Sequence, residues 1–377
     1  MPYTYPHTQK RCPMHKLPFF AALAFLFPMV LTQSCQDFSL RRGDAQIAIG
    51  FSANVVQGTF PATKASGEIG EEALRTGGFG VFACHTGIHT YGEVTVSPDF
   101  LYNERLSWGE GDGWTYSPLA YWPSDEEAGQ HYLSFFAYAP YSSGDASLPY
   151  TNPAGYCIPS WSRPAEPSDP WLLYRLHPDA NYQVDLLYAE LVDQTRPGIS
   201  ARLPFTFRHA LACVGDNVTI GCGAALMSQL KALVDGGSTS SIALSLTSVT
   251  VTYSLLEKGR LVLWSADPET PSWQAVLSEN PLTVRTAFSW SGDETLYSYD
   301  GASSVVHSWR KSGRGIFAIP LNVDGVDQTA TVTVTLKIVR GVEDPVTQTN
   351  SRTLFLRGSL EAGQSADITV SLSTLIL

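Results

Sequence analysis

Residues 329–339 read TATVTVTLKIV, and this stretch decides the fold class of the chain. Apolar and polar side chains alternate strictly along it: Val332, Val334, Leu336 and Ile338 fall on one face, and Thr331, Thr333, Thr335 and Lys337 fall on the other. A period of two is typical of a strand with one buried face and one solvent-exposed face. Parallel sheets are usually buried on both faces, so this pattern predicts an antiparallel sheet.

Similar short strands are predicted on both sides of this stretch. They lie at 47–55, 80–84, 101–108, 116–122, 131–138, 183–191, 248–255, 260–264, 282–290, 315–321, 353–356 and 367–377, with a new series beginning near Leu203. Only residues 225–233 resemble a helix; 57–78 is predicted to be a long exposed loop and 140–170 an irregular excursion. Repeated short strands without β-α-β spacing predict an all-β, mainly antiparallel protein made of two tandem β-sandwiches. The turn-forming sequence QTRPG at 194–198 predicts a boundary between domains at 35–198 and 199–377.

An export signal precedes these strands. Residues 17–35 read LPFFAALAFLFPMVLTQSC, an apolar run that follows three basic residues and is too short to span a bilayer comfortably. Cys35 comes directly after the small residue Ser34, which is typical of a bacterial lipoprotein signal, although Leu31 lies four residues before the cysteine rather than three. Residues 1–34 are therefore predicted to be a cleaved signal and Cys35 the lipidated residue. The alternative is an ordinary secretory signal followed by an incidental cysteine.

The charge balance excludes nucleic acid as a partner. The chain has 24 Lys plus Arg against 35 Asp plus Glu, a formal charge of −11. Removing residues 1–34 leaves 21 basic residues and a formal charge of −14. Such a chain repels nucleic acid and anionic membrane surfaces, so attachment to a membrane is expected through lipid rather than charge.

Four cysteines remain after Cys12 in the signal and Cys35 are set aside. They are Cys84, Cys157, Cys213 and Cys222. An even number in an exported protein permits two disulfides, and the alternative is four buried thiols that act as small apolar side chains. The sequence does not choose between them.

Motifs of catalysis and of cofactor binding are largely missing. The chain has no Gly-x-Ser-x-Gly elbow, phosphate loop or His-Glu-x-x-His motif, so no enzymatic activity and no cofactor are expected. Cys84, His85 and His89 lack the paired spacing of a metal site. Five aromatic side chains of the first predicted domain suggest a different class, a surface glycan-binding lipoprotein with an exposed stacking platform. These are Trp108, Trp114, Trp122, Trp161 and Trp171.

Seven short motifs, in this order and spacing, resemble the fimbrillin family of Bacteroidetes pilus subunits and pilus-like lipoproteins. They are TKA at 63–65, GVFA at 80–83, FLYN at 100–103 leading to Trp108, YWP at 121–123, LSFFAYAP at 133–140, DLLYA at 185–189 and FRHALA at 207–212. The resemblance covers about residues 51–212 and is looser afterwards. It implies two transthyretin-like β-sandwich domains and a structural role in cell-surface fimbriae and adhesion. The implied partners are other fimbrial subunits and host or bacterial surface ligands.

The resemblance also implies assembly by strand exchange after a trypsin-like protease removes the first strand. The predicted loop at 57–78 carries Lys64, where family members often have arginine, and Arg75; Arg41 and Arg42 are the fallback processing sites. The last predicted strand, 367–377, has no charged tail to protect it from pairing, which makes it a candidate donor. Its apolar face comprises Ile368, Val370, Leu372 and Ile376.

Overall fold

Strands make up most of the described chain. The computed structural model describes residues 46–58, 68–94, 96–111, 113–123, 131–144, 156–163, 166–197, 201–276, 281–313 and 315–375. The strands are β1 Gly50–Val55, β2 Phe79–Gly87, β3 Leu101–Gly109, β4 Gly113–Thr115, β5 Tyr132–Ala139, β6 Trp171–Arg175, β7 Leu187–Gln194, β8 Arg202–His209, β9 Ala212–Cys222, β10 Ile242–Leu256, β11 Lys258–Val262, β12 Ser272–Ala275, β13 Leu282–Tyr299, β14 Ser304–Val306, β15 Trp309–Lys311, β16 Ile316–Ala318, β17 Thr329–Arg340, β18 Val346–Phe355 and β19 Ser365–Leu372. The helices are α1 Glu71–Gly77 and α2 Ala224–Asp235. The predicted all-β class is confirmed.

Seven strands close into a ring in the order β1-β4-β3-β2-β5-β7-β8. Neighbours in this ring are antiparallel except β1 and β8, which run parallel. The ring encloses a core rich in aromatic side chains, in which Phe79, Phe135 and Phe207 have no exposed surface. The predicted strands at 80–84, 101–108 and 131–138 all lie in this ring.

The stretch that decided the fold class forms β17, the fourth strand of a sheet ordered β14-β13-β10-β17-β18. Val332, Val334, Leu336 and Ile338 are at most 2% exposed, and the threonines between them face outward, as the alternation predicts. The buried face shares a core with β9, β19 and α2, the helix predicted at 225–233.

The last strand, β19, lies parallel to β9. β15 and β16 pair antiparallel with other parts of β9. The first and last strands of the described chain, β1 and β19, are therefore both docked in parallel. Their partners, β8 and β9, are consecutive in sequence.

Asp44–Leu377 forms one compact unit. Within it, β6, from before residue 198, pairs with β11, from after it. The division of the chain into domains at residue 198 stays a prediction. Neither helix of the described residues has the length and apolar character that crossing a membrane requires.

Three predicted elements are wrong in part. The loop predicted at 57–78 contains α1, which forms because Leu74 is buried and Glu71 pairs with Arg75 one turn later, at 3.3 Å. Residues 116–122 form no strand, and only a single bridge joins Tyr121 to Ala48. The last strand ends at Leu372, because its partner β9 ends opposite it at Cys222 and helix α2 begins at Ala224.

Candidate functional site

The first strand fills a groove in the ring with its aromatic side chain. Phe51 has no exposed surface, and its ring centroid lies 5.5 Å from that of Phe205, 5.6 Å from that of Phe135 and 5.7 Å from that of Tyr116. Ile49, two residues earlier, is 1% exposed. Because successive side chains of a strand point to opposite faces, both reach the same core, as the predicted alternation at 47–55 requires.

Backbone hydrogen bonds hold β1 differently on its two sides. On one side it forms six consecutive residue pairs with β8, extended by the N–H of Val56, which donates to Phe207 O at 2.8 Å. On the other side it meets β4 through one residue pair and then an irregular segment, where Ile49 N–H donates to Ala120 O at 2.9 Å. Tyr116 Oη also donates to Ile49 O at 2.9 Å. The strand is therefore an inserted element with one regular neighbour.

A buried acid–base pair lies where β1 ends. His209, the last residue of β8, places Nδ1 2.5 Å from Asp185 Oδ2, and both side chains are at most 2% exposed. Burial of the imidazole lowers its pKa, but the hydrogen bond and charge of Asp185, with smaller contributions from Glu68 and the Val56 backbone, raise it by more. The net pKa of His209 lies above its ordinary value, so the pair favours a charged imidazolium beneath the end of β1.

A groove opens above this pair. It has a volume of about 460 Å³ and is lined by Val55, Gln57, Gly58, Glu68, Ile69, Gly70, Glu71 and His209. A second groove of about 360 Å³ adjoins it and continues past the Arg208–Glu269 ion pair, at 3.2 Å, towards Gln364. The two grooves therefore connect the end of β1 with the residues that lead into β19.

The last strand is docked. Ile368, Val370 and Leu372 are 2%, 5% and 7% exposed, and they lie opposite Val218, Ile220 and Cys222 of β9. The three side chains share one face, as predicted. The fourth predicted donor residue, Ile376, lies outside the described residues, as do Cys35, Arg41, Arg42 and Lys64.

Arg75, the remaining predicted processing residue, sits in the last turn of α1. It pairs with Glu71, and its guanidinium lies 4.7 Å from the centre of the Trp108 ring. A protease needs an extended substrate, so cleavage after Arg75 requires α1 to unfold.

The tryptophans of the first predicted domain do not form an exposed platform in the described structure. Trp114 and Trp122 are 6% and 5% exposed. Trp161 and Trp171 are half-buried, and the Arg260 guanidinium covers the ring of Trp171 at 4.4 Å. Trp108 is 40% exposed but lies under Arg75. The arrangement that the glycan-binding alternative requires is not found among them.

The candidates for metal binding do not assemble into a site. His85 Nε2 lies 3.1 Å from His131 Nδ1, whereas Cys84 is buried in the core, where burial raises the pKa of its thiol to about 12. Within the described ranges, no group of three or more His, Cys, Asp or Glu side chains is arranged to hold a metal ion. Cys84, Cys157, Cys213 and Cys222 are free thiols, three of them buried, which favours the alternative without disulfides.

Sequence reasoning did not identify the pair of His209 and Asp185. Asp185 precedes His209 by 24 residues and lies just before β7. No motif spacing marks the two as a pair, because β7 and nearly all of β8 lie between them along the chain.

One family model matches most of the chain, and several solved structures resemble it. A family model described as fimbrillin-like matches residues 75–337. A fimbrial protein from Bacteroides vulgatus has a similar structure, with a TM-score of 0.54 and 18% identity, covering 87% of this chain and 96% of that one. A putative cell adhesion protein from Bacteroides uniformis aligns with a TM-score of 0.36 and 14% identity over 87% and 93% of the two chains. The fimbrial anchor protein Mfa2 from Porphyromonas gingivalis aligns with a TM-score of 0.27 and 15% identity over 76% and 77%. No curated protein matches the chain.

Proposed function

The chain belongs to the fimbrillin-like family, and from this membership we propose that it is a structural subunit or accessory protein of cell-surface fimbriae. In this proposal, the chain is exported as an outer-membrane lipoprotein and joins other fimbrial subunits by strand exchange. It contributes to adhesion and catalyses no reaction. The observation that carries the proposal is the position of β1. This first described strand pairs in parallel with β8, and its side chain Phe51 packs in the core of the seven-stranded ring.

Removal of β1 would leave a groove that needs both apolar side chains and a backbone partner for β8. Its floor would lose Ile49 and Phe51, and the β8 backbone would lose six residue pairs. An extended segment from another subunit satisfies both needs, since its backbone pairs with β8 and its alternate side chains enter the vacated positions. Fimbrial subunits with an exposed donor strand are therefore the proposed partners.

Lys64 is the processing site that we favour. It follows β1 and precedes α1 in sequence, so cleavage after it separates β1 from the rest of the ring. Arg75 is disfavoured because it is folded into α1. Cleavage at Arg41 or Arg42 would leave β1 attached to the ring and the groove filled.

Limited trypsin treatment of the full chain, followed by electron microscopy and N-terminal sequencing, tests this assignment. We expect polymers and a new terminus at Ala65 for the wild type and for Arg75→Gln, which is the matched control. Lys64→Gln should resist this cleavage and form no polymers. Polymers formed by Lys64→Gln, or a terminus at Cys35 alone in a polymerising sample, would contradict strand removal at Lys64.

The same assay tests the last strand as the donor. Deleting residues 374–377 spares β19, whose last residue is Leu372, and so should leave a folded protein. If the end of the chain supplies the donor segment, this shortened protein should be cleaved normally but form no polymers. Polymers of normal length would assign the donor to another segment.

Lipidation at Cys35 is tested by substitution. We expect Cys35→Ala to lose palmitate labelling and to leave the membrane fraction, because the acylated thiol is the proposed anchor. Cys12→Ala is the matched control, since this cysteine precedes the apolar run of the signal. Unchanged labelling and fractionation of Cys35→Ala would identify an ordinary secretory signal.

A further inference from the structure

Strand β18 is a long and regular free edge. It ends the sheet β14-β13-β10-β17-β18, and no described strand pairs with its outer side. Its ten residues pair with β17 without a single register shift. An edge strand of this length exposes a row of unpaired backbone N–H and C=O groups, which is a template for another strand.

The other edges of the described sheets are shorter, less regular or charged. β12, β14, β15 and β16 have only three or four residues, and β6 has five. β19 has eight, but its pairing with β9 contains a register shift at Asp367. The outer side of β13 is longer, but its pairing with β10 contains three register shifts, and Asp293 and Glu294 place charges on it. β18 has no proline, no bulge and one charged residue, Arg352. It therefore lacks the features by which proteins block edge pairing.

The sequence of β18 is nearly self-complementary about Asn350. In an antiparallel pair of two copies centred there, Val346 faces Leu354, Thr347 faces Thr353, Gln348 faces Arg352, Thr349 faces Ser351, and Asn350 faces itself. Apolar residues meet apolar residues, hydroxyls meet hydroxyls, and the only charge meets an amide. A shift of the centre to Ser351 would instead set Thr347 against Phe355 and Gln348 against Leu354.

The side chain of Asn350 gives an independent indication of this centre. Its Oδ1 accepts a hydrogen bond from Gln348 Nε2 at 3.1 Å, whereas its Nδ2 is buried without a hydrogen-bond partner among the described residues. Residues directly opposite each other in an antiparallel pair have Cβ atoms about 4.5–5.5 Å apart, within reach of an amide–amide hydrogen bond. The Nδ2 group is enclosed in the single chain, so the Asn350 carboxamide has to turn towards the outer side of β18 before the Asn350 oxygen of a second copy can accept its hydrogen bond.

We propose that β18 is a self-association surface, at which two copies of this chain pair antiparallel about Asn350 to form one continuous sheet. The contact is isologous, since the same strand serves both copies, and it closes after two. It is separate from strand exchange, because it uses neither β1 nor β19 and requires no cleavage. Untreated protein tests it without involving the proposed fimbrial assembly.

The test is sedimentation of the untreated full chain from about 1 µM to about 1 mM, the range in which a contact of one strand pair is detectable. We expect a concentration-dependent dimer of the wild type. In Thr349→Lys with Ser351→Lys, like charges face each other twice, and dimerisation should weaken by about tenfold or more. In Thr349→Lys with Ser351→Glu, opposite charges face each other in the proposed register, and the dimer should return.

The matched control is Thr333→Lys with Thr335→Lys. These two residues carry the same added charge on the same sheet face, but they lie one strand inward, opposite Ser351 and Thr349 of β18. We expect this control to dimerise, and all variants to keep the circular dichroism spectrum of the wild type. Three results would overturn the proposal: a monomeric wild type at about 1 mM, a dimer that survives the double-lysine change, or a Lys–Glu variant that stays monomeric. Association through residues 1–43 would persist in every variant and so also counts against it.

Discussion

Phe51→Ala is expected to lower the free energy of unfolding by about 3–5 kcal/mol, the usual loss when a fully buried phenylalanine is truncated in a core. The ring contacts three other aromatic rings and has no exposed surface, so the cavity is lined by groups that β5 and β8 hold in place. Urea unfolding followed by intrinsic fluorescence measures the change.

Asn54→Ala is the matched control for this prediction. Asn54 lies on the same strand but is exposed, and its side chain only accepts a hydrogen bond from Thr206 at 3.3 Å. Its loss should stay within about 0.5 kcal/mol, as for most exposed positions. If Phe51→Ala costs no more than this control, β1 does not fill the ring in solution.

The second large effect is expected at the buried pair. Asp185→Ala should lower the free energy of unfolding by about 3–5 kcal/mol near pH 6, because the buried imidazole loses its charged hydrogen-bond partner and must either give up its proton or keep an unpaired charge. Asp185 Oδ1 also accepts the N–H of Leu186 at 2.8 Å, and this bond is lost as well. Asp185→Asn keeps hydrogen-bonding atoms without the charge and should cost less.

The pH dependence of this pair has a definite sign. The pKa of His209 is raised in the folded protein. The contribution of its charge to the free energy of unfolding is therefore fully present below the pKa of the unfolded state, about 6.5, and is lost as the pH rises through the pKa of the folded state. Without Asp185, burial remains as the largest influence and lowers the pKa of His209. The stability of Asp185→Ala should therefore rise with pH up to the unfolded value of about 6.5, whereas the wild type loses its contribution above that value. The deficit of the variant relative to wild type should shrink as the pH rises through both ranges. Unfolding curves between about pH 5.5 and about pH 8.5 measure this difference. A constant deficit would contradict a charged His209.

The period of two predicted the strands well where a single strand buries one face. β17 and β1 follow the predicted alternation because each strand buries one of its two rows of side chains in a core. The pattern does not predict which strand lies beside which. The parallel docking of β1 on β8 and of β19 on β9 depends on contacts more than 140 residues apart in sequence, and alternation reads the same for a parallel or an antiparallel neighbour.

Errors in the prediction came from elements defined by their neighbours. Helix α1 has only seven residues, in a segment rich in glycine, and a single buried side chain, Leu74, carries its packing. The end of β19 is fixed by the length of β9 rather than by its own sequence, which stays strand-like to the end of the chain. The His209–Asp185 pair is likewise created by the folded arrangement of β7 and β8.

The parallel docking of β1 also determines how the subunit responds to mechanical tension. A pull along β1 acts in the plane of the sheet and parallel to β8, so the six residue pairs are loaded in shear and resist together instead of opening one after another. β19 is loaded against β9 in the same way. Forced unfolding is governed by the unfolding rate rather than by equilibrium stability. The lifetime of a stretched chain is thus expected to be limited by the simultaneous rupture of one strand from its neighbour.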